Sequence, residues 1–190
     1  MPSKPLTQQE KRLLLVIARQ AMENAVRQQL LDEFNLTSMP ISLQEPGASF
    51  VTLTVGDALR GCIGTLEAHQ PLALDVQEHA VAAALEDYRF TPVIPAELKH
   101  IHIEVSRLTP AIPLEYADPL DLLCKLRPGE DGVILKDGPH RATFLPQVWE
   151  KVPDPAEFLD QLCYKMGALP EVWRNKHPQV FTYQVEEFHE

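Results

Sequence analysis

The segment 59–64 brings together residue types that can do chemistry, since it holds a thiol, a cation and two glycines. Gly61 and Gly64 lack side chains, so a ligand can approach the backbone closely beside Cys62. Arg60 lies two residues from Cys62, on the same face of an extended strand. At about 7 Å and an effective dielectric of about 20, Arg60 favours the Cys62 thiolate by roughly 2 kcal/mol before screening. We therefore expect Cys62 to be a nucleophile or redox thiol, with Arg60 binding an anionic group and Gly61 and Gly64 contacting the substrate.

The alternative is that Cys62 is a buried and inert core residue. The glycine-first pair at 56–57 predicts a two-residue turn, after which 58–63 returns as the antiparallel partner of the preceding strand. In a regular ladder with that turn, Cys62 shares a face with Val51 and Leu53, which predicts burial. A slip of one residue puts Cys62 on the opposite face. The residue types leave both alternatives open.

Further site candidates lie outside this segment. A nucleophilic cysteine needs a base, and the nearest histidines in sequence are His69, in the following loop, and His79, on the next predicted helix. Nothing in the sequence selects between them, and a structural or solvent-exposed role is the alternative for each. Asp87 and Arg89 follow that helix and are expected to order the turn as a charge pair or to line the site. Gln147 follows a proline that ends a predicted strand and is a candidate substrate contact.

The sequence also contains a pattern of metal-ligand side chains, but its spacing is unfavourable for binding an ion. His100, His102 and Glu104 alternate, so a strand presents all three on one face. These are the side-chain types of a two-histidine, one-carboxylate site. Successive same-face positions lie about 6.5 Å apart, which is too far for three of them to surround one ion without a bend. We expect no metal here, and Glu104 and Arg89 remain the weaker candidates for catalytic residues.

The composition restricts the class of protein. The 190 residues carry a formal charge of −10 and a pI of about 5.1, so the surface repels phosphate backbones and we expect no nucleic-acid partner. The apolar run 13–18 is too short to cross a bilayer, so we expect no membrane association. Three widely spaced cysteines indicate neither a disulfide framework nor a cysteine zinc site, which fits a cytoplasmic protein. Cys124 and Cys163 lie at apolar helix positions and are expected in the core.

Hydrophobic periodicity and turn signals predict the elements. The predicted helices are Thr7 to about Leu31, Pro71 to about Glu86, a short one after Asp118-Pro119, and Asp154 to Met166. The predicted strands are Ser49–Val55, Ala58–Ile63, Lys99–Leu108, Val133–Lys136, Arg141–Leu145 and Val180–Val185. Hairpins mixed with helices favour an α+β fold, with a largely antiparallel sheet flanked by helices. No low-complexity spacer divides the chain.

Five sequence blocks, read in order, resemble those of one known family. They are Ala48–Leu53, Leu59–Gly64, Asp87–Phe90, Ile103–Ser106 and Leu145–Val148. Over about residues 10–188 the chain resembles the AmmeMemoRadiSam system protein A family, the AMMECR domain family, and Leu-Arg-Gly-Cys-Ile-Gly is its most specific block. Tyr88 stands where relatives often carry proline. The resemblance implies one domain over 1–190, with a larger and a smaller lobe around a cleft near that block, the smaller within about 110–150.

The resemblance implies no settled activity. The family is associated with a Memo-like protein and a radical S-adenosylmethionine (radical SAM) enzyme, which suggests a shared pathway or complex with those partners. We expect a small-molecule enzyme or enzyme subunit that uses a cleft around Arg60, Cys62 and Asp87. The alternative is a non-catalytic adaptor or regulatory module that presents the same surface to those partners. Substrate and cofactor stay open.

Overall fold

The computed structural model describes residues 4–31 and 35–190, which divide into two compact units. The first unit contains 4–31, 35–108 and 186–190, and the second contains 109–185. The small lobe expected from sequence, within about 110–150, lies inside the range of the second unit. The division into one domain with a lobe stays a prediction.

The elements follow one another as helices and strands mixed along the chain. The helices are α1 (Gln8–Val26), α2 (Ile41–Gln44), α3 (Leu72–Leu85), α4 (Pro119–Lys125), α5 (Pro155–Lys165) and α6 (Val172–Asn175). Short 3-10 helices lie at Leu36–Ser38, Leu98–His100 and Pro146–Glu150. The strands are β1 (Pro46–Val55), β2 (Ala58–Gly64), β3 (Gln70–Pro71), β4 (Ile101–Leu108), β5 (Ile112–Pro113), β6 (Gly132–Asp137), β7 (His140–Phe144), β8 (Gln179–Tyr183) and β9 (Val185–His189).

The first unit is built on a five-stranded sheet in the order β2-β1-β4-β9, with β3 paired to the start of β1. The pairs of β1 with β2, β3 and β4 are antiparallel. Helix α3 packs on β1 and β2 and against α1. The sheet face beneath these helices, here called the inner face, carries fully buried apolar side chains: Val51, Leu53, Ile103 and Val105. Burial of this face supplies the main hydrophobic stabilisation of the unit.

The second unit is built on a four-stranded antiparallel sheet in the order β5-β8-β6-β7. Its core contains a pair of stacked aromatic rings, those of Trp149 and Phe158, with 3.6 Å between centroids. Trp173 is buried in the same hydrophobic core. Antiparallel sheets with flanking helices make this an α+β protein, which confirms the predicted fold class.

Local signals account for the ends of α1. Thr7 and Glu10 form the predicted capping box, in which each side chain accepts from the other residue's backbone N–H. The helix ends at Val26 rather than near Leu31, so that part of the prediction is wrong. Gln28 adopts a left-handed φ of 57° and terminates the helix, although such a position is usually occupied by glycine. Within the described ranges, no helix is both long enough and apolar enough to cross a membrane.

Candidate functional site

The hairpin of β1 and β2 turns where the sequence predicts. Val55 pairs with Ala58, which leaves Gly56 and Asp57 as a two-residue turn. Gly56 has φ 58°, whereas Asp57 does not have a positive φ. Positive φ at the first position alone is the pattern of a type II′ turn, and it explains why glycine comes first.

The ladder of this hairpin is not regular, and the irregularity decides where Cys62 points. The register shifts between Leu53 and Thr54, which makes Arg60 the extra residue of a β-bulge. Beyond the bulge Cys62 pairs with Thr52 and shares its face. The face shared with Leu53, which a regular ladder implies, is therefore wrong. The thiol lies on the opposite side of the sheet, here called the outer face.

The Cys62 thiol is half-buried on that face. The Thr52 hydroxyl donates a hydrogen bond to Cys62 Sγ at 3.2 Å. A thiolate accepts such a bond more strongly than a thiol does. Cys163, by contrast, is fully buried in the second unit, as expected, and burial raises the pKa of its thiol. Cys124 is exposed on α4, so its predicted core position is wrong: only Leu122 of that short helix is buried.

The two glycines of the block are required by packing within the protein. A Cβ on Gly61 would lie 2.1 Å from the carbonyl oxygen of Ala83, because β2 runs against α3 there. A Cβ on Gly64 would lie 2.4 Å from both the Phe50 ring and the Ser49 carbonyl oxygen. These contacts account for both glycines without a ligand, and their role in substrate binding stays a prediction.

Asp87 and Arg89 hold the peptide groups of Cys62. The Cys62 N–H donates to Asp87 Oδ2 at 2.9 Å, and the Cys62 carbonyl oxygen accepts from Arg89 Nη2 at 3.1 Å. Arg89 also forms a bidentate pair with Asp87, at 2.9 Å from Nε and 2.7 Å from Nη2. We call this arrangement the Asp87–Arg89 clamp. Because β2 is the edge strand, the clamp occupies hydrogen-bonding groups that another strand would otherwise use.

The two charges of the clamp stabilise each other. Asp87 is only 4% exposed. The Arg89 hydrogen bonds hold the pKa of the Asp87 carboxyl well below its usual range, and Asp87 in turn raises the pKa of Arg89. From the sequence we expected this charge pair either to order the turn or to line the site. The structure shows the pair ordering the turn and binding the Cys62 backbone.

Arg60, at the bulge, has a carboxylate partner that the sequence analysis missed. Its Nε and Nη2 donate to the two carboxylate oxygens of Glu97 at 2.8 and 3.1 Å. These bonds lower the pKa of Glu97, which also accepts from the Ile94 N–H at 2.9 Å. Binding of an anionic group by Arg60 stays a prediction, and such a group has to compete with Glu97. No motif or spacing around Glu97 signals the pair, because it joins a strand to a proline-rich loop.

A row of polar side chains crosses the outer face. Thr52 pairs with Cys62 on one side and with Glu104 of β4 on the other. Glu104 is half-buried, and both this burial and the nearby charge of Glu187 raise the pKa of its carboxyl. Glu187 and His189 are exposed on β9 and flank Phe188, which is buried in the core. We call Cys62, Thr52 and Glu104 the outer row.

The predicted face of three metal-ligand types does not form. His100 lies in the 3-10 helix before β4, and only His102 and Glu104 lie on the strand. Across residues 4–31 and 35–190, no group of three His, Cys, Asp or Glu side chains is arranged to hold a metal ion.

Neither candidate histidine forms a hydrogen bond with Cys62. Within the described residues, Cys62 forms hydrogen bonds with Thr52, Asp87 and Arg89. His69 is exposed beside Glu67 in the loop after β2, with 3.8 Å between Nε2 and Oε2.

His79 lies on α3, with its Nδ1 3.2 Å from Asp75 Oδ2 but without hydrogen-bond geometry. Asp75 accepts instead from the buried hydroxyl of Ser49 at 2.6 Å. Gln147 is exposed on the 3-10 helix Pro146–Glu150 of the second unit, and its substrate contact stays a prediction.

This is an α+β protein whose edge strand, Leu-Arg-Gly-Cys-Ile-Gly, is tied to an Asp-Tyr-Arg turn. The chain belongs to the AMMECR1 family, whose model matches residues 15–188. A protein of Methanothermobacter thermautotrophicus is 40% identical over 190 residues, covering 98% of this chain and 97% of its own. A protein of Thermofilum pendens is 37% identical, with 96% and 91% covered.

A solved structure supports the fold. The crystal structure of the uncharacterized protein PH0010 from Pyrococcus horikoshii superposes with a TM-score of 0.80 at 32% identity. The match covers 97% of this chain and 93% of that one. The resemblance to the AMMECR domain family is confirmed by the family match, and the fold is shared along nearly the whole chain.

Proposed function

We propose that this protein is a small-molecule enzyme or enzyme subunit whose reactive group is the Cys62 thiol. One observation carries the proposal: the bulge at Arg60 turns Cys62 out of the core face and onto the half-exposed outer face. A thiol must be reachable by its substrate before it can act as a nucleophile or redox group.

The surroundings of Cys62 support this role because they fix its backbone. Asp87 and Arg89 hold both peptide groups of Cys62, and Gly61 seats the strand against α3. A reactive group held in one position loses less entropy when the substrate is brought to it. The Thr52 hydroxyl adds a donor directed at the sulfur. Within residues 4–31 and 35–190 the hydrogen-bond partners of Cys62 include no histidine, so water or a basic group of the substrate takes up the thiol proton.

The second candidate is a non-catalytic adaptor, and a separate observation favours it. Three large apolar side chains next to the clamp and the Arg60–Glu97 pair are exposed: Tyr88 is 94% exposed, Ile94 56% and Leu59 42%. Exposed apolar groups of this kind are common at protein interfaces. As a proposal, the partners remain a Memo-like protein and a radical SAM enzyme, and the compartment remains the cytoplasm.

Turnover in cell extract separates the two candidates. Purified wild type, Cys62→Ser and Cys124→Ser are each incubated with a small-molecule extract and followed by untargeted mass spectrometry. Cys124→Ser is the matched control because it removes an exposed thiol from the second unit. An enzyme consumes a metabolite, or carries an adduct on Cys62, in wild type and Cys124→Ser but not in Cys62→Ser. Identical metabolite profiles without an adduct contradict the enzyme and leave the adaptor.

A further inference from the structure

The cations beside Cys62 are already paired. Arg60 is held by both carboxylate oxygens of Glu97, and Arg89 by both oxygens of Asp87. Such bidentate pairs are the strong form of ionic hydrogen bond, so an anionic ligand gains little unless it displaces a carboxylate. The other polar groups of the outer face, rather than these two arginines, therefore determine which ligand charge is favoured there.

The outer row carries the opposite charge. Its member Glu104 lies on β4, one strand beyond Thr52 and two strands beyond Cys62. Neighbouring strands are about 4.8 Å apart, so the Cβ atoms of Cys62 and Glu104 lie roughly 10 Å from one another. The side chains of directly paired residues share a face, so the thiol, the hydroxyl and the carboxylate are presented together.

Two neighbours act on the charge of Glu104 in opposite directions. Glu187, on β9, repels the Glu104 charge, whereas His189 attracts it when protonated. A half-buried carboxylate beside a second one gains more from a bound cation than an exposed carboxylate does, because water screens it less. The net charge of −10 also raises the local concentration of cations at the surface.

We propose that the outer row binds a small molecule that carries an amino or guanidino cation at Glu104 and places its other end at Cys62. This inference rests on the proposed function, because it names the substrate class for the same thiol. Thr52, between the two, offers its hydroxyl to a polar group in the middle of the ligand. We propose this cationic ligand in place of the anionic one that Arg60 suggested from the sequence.

Charge-selective alkylation tests the proposal. The probes are 2-bromoethylamine as the cation, iodoacetate as the anion and iodoacetamide as the neutral reagent, at low ionic strength. Peptide mass spectrometry gives each rate at Cys62 and at Cys124, which is exposed in the second unit and serves as the reference within the same molecule. We expect the cation-to-anion rate ratio at Cys62 to exceed that at Cys124 by about fivefold.

Two glutamine variants isolate the residue responsible. Glu104→Gln is expected to bring the ratio at Cys62 close to that at Cys124. Glu150→Gln makes the same change of net charge at an exposed position of the second unit and is expected to leave the ratio unaltered. In 1 M salt, where the Debye length is about 3 Å, the preference in wild type is expected to weaken.

The possible failures can be told apart. Efficient labelling of Cys62 without a charge preference, or with a preference that Glu104→Gln does not change, contradicts the cationic substrate alone. Preference for iodoacetate also contradicts it and points to Arg60 or Arg89. A Cys62 that iodoacetamide does not reach in the folded protein overturns the proposed function together with this inference.

Discussion

The two faces of the five-stranded sheet are built from alternate residues of the same strands, yet they behave differently. The inner face places Val51, Leu53 and Ile103 fully out of water beneath the helices of the first unit. The outer face keeps Thr52 and Cys62 half-exposed. Inner-face side chains stabilise the fold by burial, whereas outer-face side chains contribute little burial and are available for chemistry.

A single residue decides to which face the thiol belongs. Without the bulge at Arg60, Cys62 would join Leu53 on the inner face. With it, the thiol pairs with Thr52 and Glu104 on the outer face. Bulges of this kind re-aim a side chain at little cost in the rest of the ladder. Substitutions on either face test this difference in burial between the inner and outer sides of the sheet.

The largest effect is expected from Gly61→Ala, on the inner side. The new Cβ would lie 2.1 Å from the Ala83 carbonyl oxygen, so that α3 or β2 has to move. We expect a loss of about 3 kcal/mol or more in the free energy of unfolding, measured by urea denaturation. Gly129→Ala is the control, since nothing lies within 4 Å of the new Cβ and only its φ of 82° is unfavourable; it is expected to lose about 1 kcal/mol. Equal losses would contradict the close approach.

The next largest effect is expected from Asp87→Asn, which removes the charge of the clamp. We expect a loss of about 2 kcal/mol at pH 7, because two charge-assisted bonds to Arg89 and one bond from Cys62 N–H are weakened. The exposed turn variant Asp57→Asn is expected to change stability by less than about 0.5 kcal/mol.

The same variant has a distinctive dependence on pH. The folded pKa of Asp87 is depressed, so its stabilisation is complete above the unfolded value of about 3.9 and is lost as pH falls through the folded value. Wild type and Asp87→Asn should therefore begin to converge in stability as pH falls below about 4, and the difference should keep shrinking toward pH 2. Urea denaturation between pH 7 and pH 2 measures this, and a constant difference across that range would argue against the depressed pKa.

A pair of serine variants compares the two faces through the same chemical change. In Cys163→Ser the hydroxyl is placed in a fully buried site, and we expect a loss of about 1 to 2 kcal/mol. In Cys62→Ser the hydroxyl faces the outer side next to Thr52, and we expect a change of less than about 0.5 kcal/mol. The midpoint of thermal unfolding measures both. A larger loss of stability in Cys62→Ser than in Cys163→Ser would indicate that Cys62 is a core residue.

The smallest effect is expected from Glu104→Gln. Burial and Glu187 raise the folded pKa of Glu104, so its ionisation reduces stability as pH rises through that value. Below the unfolded pKa the carboxyl is protonated in both states and this cost is absent. The variant should gain up to about 0.5 kcal/mol at pH 7 and none near pH 3. A loss at pH 7 would show that Glu104 is held by favourable contacts.

Local sequence patterns predicted much of the fold. The capping box of Thr7 and Glu10, the Gly56-Asp57 turn and the alternation in β4 depend on neighbours in the chain, and all are observed. The end of α1 could not be read, because Gln28 takes a left-handed conformation without glycine.

The site was predictable only in part. The sequence predicts Cys62 and the Asp87–Arg89 pair as candidates, because thiol, carboxylate and guanidinium are recognisable by type; the pair is observed, and the reactivity of Cys62 stays a prediction. The turn signal did not reveal the bulge at Arg60, because a two-residue turn is also compatible with a regular ladder. The partner Glu97 was not predictable either, since long-range ion pairs leave no spacing in the sequence.

Native-state labelling with iodoacetamide tests the central claim most directly. The folded protein is treated with the reagent, and peptide mass spectrometry follows Cys62, Cys124 and Cys163 over time, with and without urea. The outer-face position predicts that Cys62 is labelled in the folded state together with Cys124, while Cys163 reacts only after unfolding. Protection of Cys62 equal to that of Cys163 until the protein unfolds would contradict the account.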